Sequence, residues 1–295
     1  MRQEDLHTQE PLCDQRSHDG DLSQYEYVRR KHVARYLGGA VILAVTLWII
    51  IAFAHGQIAW SVTWQYLTAR TVLLGLGNTI LLAVLAMSLG IAIGVTVAIM
   101  RFSASPIING AALAYTWLFR GIPSLLQLLL WFNLALIFPT MGIPGLFELR
   151  TVDVMTPFVA ALLGLGINQG AYTSEVVRAG LLSVDDGQYE AARAIGMHRL
   201  QALRRIILPQ AMRVILPPIG NEFIGMVKWT SLTSVVQFSE LMYATETIYN
   251  VNSRVIELLF VATFWYLSVI TVLSLLQSRV ERYFARGTGR AAQSR

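Results

Sequence analysis

Apolar side chains in this chain come in long runs separated by shorter polar intervals. The runs occupy residues 38–54, 71–100, 122–138, 157–176, 214–236 and 258–276. None shows the strict alternation of a half-buried strand. Each approaches or exceeds the ~20 helical residues that cross ~30 Å of hydrocarbon. The pattern predicts an all-α fold, a polytopic membrane helix bundle with six transmembrane helices. One stretch needs dividing, because apolar character persists over residues 107–138 and is interrupted only by Arg120-Gly121-Ile122-Pro123. Proline has no amide hydrogen and disfavours helix in the residue before it. Residues 107–119 are therefore expected as a helix near the inner interface, with Pro123 in the first turn of the true span. Pro139, Gly142, Pro144 and Gly145 mark turns in the interval that follows. There, residues 138–147 are expected either to dip into the membrane or to cap its outer face.

Composition supports the membrane reading. Of 295 residues, 55% are hydrophobic and only 14% charged, against about a quarter charged in an average soluble domain. The net charge of +5 raises nucleic acid as a partner. The arginines, however, sit beside apolar runs and do not form one solvated face, so no nucleic-acid role is expected. Their distribution also gives an orientation. Segments 1–37, 101–121, 177–213 and 279–295 carry 6, 2, 6 and 5 Lys/Arg, whereas 55–70, 139–156 and 237–257 carry one each. Basic residues accumulate on the cytoplasmic side, so both termini and the 177–213 loop are expected inside. Residues 1–37 read as a disordered cytoplasmic tail. The run at 38–54 is expected to be retained as a span. A signal peptide would not carry a 37-residue leader with seven acids before its apolar stretch. Cys13 is the single cysteine, which excludes an intrachain disulfide.

The largest inner loop contains the most specific pattern. Asp185-Asp186-Gly187 is turn chemistry, and acids there suit the positive end of a following helix. Residues 188–195 predict a short helix with Glu190 in its first turn. Gly196 suits the position just past its end, where a left-handed backbone is needed. Residues 198–207 predict a second helix, and Pro209 is expected to stop it or to kink the chain toward the next span. Ala191, Ala192 and Ala194 give the first helix a small-residue surface, and Leu200, Leu203, Ile206 and Ile207 form an apolar stripe on the second. Periodicity alone leaves two readings open: an amphipathic connector on the membrane surface, or a surface offered to another protein.

These residues also carry a resemblance. Glu190-Ala191-Ala192, Gly196, Ile206, Leu208 and Pro209 fill the pattern EAA-x3-G-x9-I-x-L-P, which resembles the signature loop of ABC importer permeases. Further pieces resemble the branch that carries polar amino acids. One is Tyr115-x4-Arg120-Gly121-Ile122-Pro123-x-Leu125-Leu126-Gln127, with Ile122 where threonine is more usual. Others are Gly170-Ala171-Tyr172-x-x-Glu175-x-x-Arg178-x-Gly180 and Lys228-x-Thr230-Ser231-Leu232. The resemblance covers about residues 66–285, including a coupling loop at 183–210. It is preceded by an extra span and outer loop at 38–65 and followed by a tail at 286–295. It implies a permease subunit in a bacterial inner membrane, with no cofactor of its own. Its implied partners are cytoplasmic ABC ATPase subunits, an extracytoplasmic solute-binding protein, and a second permease chain as homodimer or heterodimer. Gln188, Glu190, Ala191, Ala192, Gly196, Ile206, Leu208 and Pro209 are then the expected coupling residues toward the ATPase.

The remaining chemistry agrees with a transport subunit rather than an enzyme. Lys31 and Lys228 are the only lysines, and neither follows the glycine pattern of a phosphate-cradling loop. The five histidines lack metal-ligand spacing. Polar residues inside spans are costly in lipid and mark interiors or pathways. Asn168, Glu175, Glu222, Lys228, Thr230 and Ser231 are therefore the candidate pathway residues. Lys228 is expected either to meet a substrate carboxylate or to pair with Glu222 or Glu175. Gly90-x3-Gly94 and Gly164-x-Gly166 are expected to permit close helix contact. Alternatives are an ABC permease for another small zwitterion such as an opine, an ion-gradient-driven transporter, and a membrane scaffold without transport.

Overall fold

The computed structural model describes residues 33–143 and 147–284. The chain divides into two units, Met1–Gln57 and Ile58–Arg295. The first contains α1, Val33–Ala54, an apolar helix of 22 residues, or ~33 Å at 1.5 Å per residue. It begins four residues before the end of the expected tail. The rest of that tail and the segment 286–295 lie outside the described residues.

The second unit is built around two long helices. α3 (Arg70–Arg101) runs against α7 (Pro157–Leu182). Between them in sequence come α4 (Pro106–Gly121) and α5 (Ser124–Phe132), and α2 (Trp60–Leu67) precedes α3. The glycine pairs act as expected. A Cβ on Gly90 would lie 2.6 Å from Gln169 Cγ, and one on Gly94 would lie 2.7 Å from Thr173 Cβ, so only glycine permits this α3–α7 approach. Leu82, Ala83 and Ala86 of α3, Leu128 of α5, and Ala161 and Leu165 of α7 form one apolar core. Met226 and Val227 of α10 (Leu208–Trp229) complete it.

The third expected span requires correction. α5 has nine residues, followed by a 3-10 turn at Leu134–Leu136, so residues 122–138 do not form a membrane-length helix. α4 and α5 are instead bent by 101° across a short break. Pro123 caps α5 rather than sitting in its first turn. The break leaves the Phe119 carbonyl without its helical donor, since Pro123 has no N–H to give it. Two nearly buried amides replace that donor: Gln127 Nε2 at 2.9 Å and Asn168 Nδ2 at 2.8 Å.

The interval 139–156 forms an antiparallel hairpin, β1 (Thr140–Ile143) with β2 (Phe147–Arg150), then the short α6 (Thr151–Val154). After α10 a 3-10 segment, Thr230–Val236, leads to α11 (Leu241–Asn252), a helix the apolar pattern did not predict. α12 (Val255–Phe284) follows. α2 is tied to α12 by the Ala59 amide donating to Glu257 Oε1 at 3.0 Å, and by Trp265 Nε1 donating to the Leu67 carbonyl at 2.9 Å. Among the described residues, three helices, α1, α3 and α12, are individually long and apolar enough to cross a membrane.

Candidate functional site

The first part of the site is the corner between α7 and α10. α8 (Asp186–Ala194) starts where the Asp185 carboxylate accepts the Gly187 amide at 2.8 Å. It ends as the sequence expects, with Gly196 at φ +77°. The Gly196 amide donates to the Arg193 carbonyl at 2.9 Å and the Met197 amide to the Ala192 carbonyl at 3.0 Å. This paired closure satisfies carbonyls that a helix end otherwise leaves open, and it holds the chain in a fixed reversal. α9 (Arg199–Ala202) then passes into a π turn, Leu203–Ile207, which is followed directly by α10.

Pro209 therefore does not stop the helix, one of the two outcomes the sequence left open. It occupies the first turn of α10, where a missing N–H costs little, and the wider π turn before it accommodates the change of register. The corner is joined to the bundle by a small apolar cluster. Ile207 and Ala211 are fully buried against Ala98, Val177, Val184 and Ile215, and Ala192 is fully buried on α8. Gln210 Nε2 donates to Gln188 Oε1 at 3.1 Å, linking the start of α10 to the start of α8. Burial, and the nearby Asp186 carboxylate, push the Tyr189 hydroxyl above its usual pKa. Gln188, Glu190 and Ala191 are exposed, while Ile206 is half-buried. Leu200, expected on an apolar stripe, is 65% exposed, so the corner presents apolar and polar side chains outward together.

The second part is a polar seam between α7 and α10. Gln169 Nε2 donates to Glu222 Oε2 at 2.6 Å, and the Thr173 hydroxyl donates to the same oxygen at 3.3 Å. Gln169 is completely buried, so an α7 amide and an α10 carboxylate meet inside the bundle. The candidate pathway residues are not one cluster. Asn168 is committed to the α4–α5 break. Glu175 pairs with Arg178 one turn along its own helix, at 2.7 Å. Thr230 is buried, with its hydroxyl donating to the Val227 carbonyl, and Ser231 donates to the Lys228 carbonyl.

Lys228 is exposed and makes no ion pair among the described residues, so the expected pairing with Glu222 or Glu175 is absent. Next to it in sequence, Trp229 lies 6.2 Å from Tyr172, and the Arg120 guanidinium lies 5.4 Å above the Tyr172 ring. A cation over an aromatic face is attracted by the ring quadrupole. Arg120 and Tyr172 stood in the sequence motifs, but only the fold brings them together beside Trp229.

Sequence reasoning missed Glu240, which is fully buried. It accepts the Met242 and Tyr243 amides at the start of α11, at 2.9 and 2.8 Å, and the Tyr266 hydroxyl of α12 at 2.7 Å. Its place outside every apolar run gave no signal of burial.

Residues 90–286 match a family described as the binding-protein-dependent transport system inner membrane component. Among curated proteins, the chain is 36% identical over 269 residues to the arginine transport system permease protein ArgU of Corynebacterium glutamicum, covering 90% of this chain and 84% of that one. It is 33% identical over 226 residues to the glutamine transport system permease protein GlnP of Escherichia coli, covering 77% and 97%. Among solved structures, it resembles a chain of an amino acid ABC transporter with histidines at 37% identity and a TM-score of 0.63. That alignment covers 72% of this chain and 94% of the other. A chain of the MetNI methionine ABC transporter, 17% identical with a TM-score of 0.61, shares the fold.

Proposed function

The chain belongs to the binding-protein-dependent transport system inner membrane component family, and from that premise we propose that it is the permease subunit of an ATP-driven importer of polar amino acids. The observation that carries this reading is the fixed corner at Gly196, because the chain beyond it runs through α9 and the π turn into α10. A load applied to α8 reaches α10 through the hydrogen-bonded Gly196 closure, α9 and a buried apolar joint. In this proposal Gln188, Glu190, Ala191, Ala192, Gly196, Ile206, Leu208 and Pro209 form the surface and joint moved by a cytoplasmic ATPase.

The pathway lies beside α7 and α10. Glu222 and Lys228 offer opposite charges to a zwitterion, with Arg120, Tyr172 and Trp229 flanking. Asn168, Glu175, Thr230 and Ser231 support the helices that line it. Six spans, with the α4–α5 pair counted as one broken crossing, place both termini in the cytoplasm, which the arginine asymmetry supports. A second permease chain completes the pathway, and a solute-binding protein delivers ligand from outside the bacterial inner membrane. ArgU and GlnP, named for arginine and glutamine transport, support the substrate class. Reconstituting the chain with its ATPase and binding protein in proteoliposomes tests the proposal. Uptake of labelled amino acid that requires internal ATP is expected. Uptake driven by an ion gradient without ATP would overturn it.

A further inference from the structure

A groove of about 570 Å³ opens between the start of α10 and the end of α12, walled by Pro209, Met212, Arg213, Leu216, Tyr283 and Phe284. The α10 residues fall at i, i+3, i+4 and i+7, so they share one helix face. The Tyr283 and Phe284 rings meet edge-to-face at 5.2 Å. Arg213 is exposed and makes no ion pair among the described residues. Glu281, an acid near the same end of α12, is engaged by Asn221 and Gln277. The groove thus offers apolar walls, two aromatic rings and one uncompensated guanidinium.

We infer that this groove holds the headgroup of an anionic phospholipid from the inner leaflet. The inference rests on the orientation proposed above, which puts Arg213 and Tyr283 where two spans emerge into the cytoplasmic headgroup layer. Charge complementarity favours lipid, because that leaflet is negatively charged and basic pockets between spans bind its headgroups. Amphipathic aromatics also concentrate at this depth. Farther along the same two helices lies a second groove, about 320 Å³, with walls that include Phe223, Val227, Val269 and Leu273. Its lining is apolar and suits an acyl chain. Arg213 stands one turn beyond Pro209, so a lipid bound there also braces the helix that carries the corner's motion.

The test uses the complete transporter in nanodiscs of phosphatidylcholine mixed with phosphatidylglycerol. Lipid retained on the complex is measured by native mass spectrometry, and ATP-dependent transport is measured in vesicles of the same composition. Phosphatidylglycerol should be enriched over its bulk ratio, and Arg213→Gln should reduce that enrichment about fivefold, as expected from ~1 kcal/mol per basic residue at an anionic surface. Arg150→Gln, on the hairpin side, should leave it unchanged. Equal enrichment in wild type and Arg213→Gln overturns the inference. Loss of the ATPase subunits from Arg213→Gln at unchanged lipid retention also overturns it, making the groove a protein seat. A complex that enriches the lipid through Arg213 but imports no amino acid would leave this site standing and refute the transport reading.

Discussion

Gln127 donates its side-chain amide to the Phe119 carbonyl at 2.9 Å, across the turn where Pro123 removes the backbone donor. The same amide reaches the Ile122 carbonyl at 2.8 Å, so one side chain closes most of the α4–α5 break. Within hydrocarbon, an unpaired carbonyl has no alternative partner. Phe119 keeps its second donor, Asn168, so Gln127→Leu should destabilise the chain by ~1–3 kcal/mol mainly through the Ile122 carbonyl it leaves without this donor. A thermal melt of the purified protein in nanodiscs checks this, and an unchanged melting temperature would show that the break closes by other means.

Gly196 adopts φ +77°, a backbone that costs an L-residue roughly 1–2 kcal/mol. Gly196→Asn should be tolerated, Gly196→Ala should weaken the corner, and Gly196→Pro should destroy it. Glu190→Lys alters the exposed surface of α8 without touching that closure. The readout is transport per ATP hydrolysed in the reconstituted complex. Gly196→Pro and Glu190→Lys should uncouple the two while the chain remains inserted, and normal coupling in both would refute the proposed role of the corner.

Gly90 faces Gln169 so closely that any side chain must displace α3 from α7. Gly90→Val should cost about 1–3 kcal/mol or more by overpacking, and should disturb the Gln169–Glu222 contact. Reduced yield of folded protein by size-exclusion chromatography is the expected result.

Lys228 is exposed and makes no ion pair among the described residues, while Glu222 is held by Gln169, which separates their contributions. Lys228→Ala should lower transport sharply with little change in melting temperature. Glu222→Ala should lower both, because it removes one of the two acceptors of the buried Gln169 amide and leaves only the Thr173 hydroxyl. Equal thermal destabilisation by the two substitutions would contradict this assignment.

Glu240 gathers two α11 amides and the Tyr266 hydroxyl in a fully buried position. Glu240→Ala is expected to be the most destabilising of these substitutions, since it strips a helix cap and strands a buried hydroxyl. Glu240→Gln keeps one of the two acceptor oxygens and sets a donor NH2 where the other stood, so it should recover only part of the loss, as measured by thermal melting.

Local features were legible in the residues themselves. Long apolar runs specified α1, α3 and α12, because hydrocarbon length alone sets how many residues a crossing helix needs. Asp185 and Gly196 specified the ends of α8, since capping and a positive φ are decided within a few residues. The interruption at Pro123 was equally plain. Its consequence was not, because the angle between α4 and α5 depends on donors at Gln127 and, from 49 residues away, Asn168. The run through Pro209, the burial of Glu240 and the isolation of Lys228 were likewise decided by which distant side chains arrived beside them. Covalent chemistry and periodicity determine where a helix is possible and where it must end. Only the packed bundle determines which orphaned polar groups find partners, because those partners come from parts of the chain that local pattern does not connect.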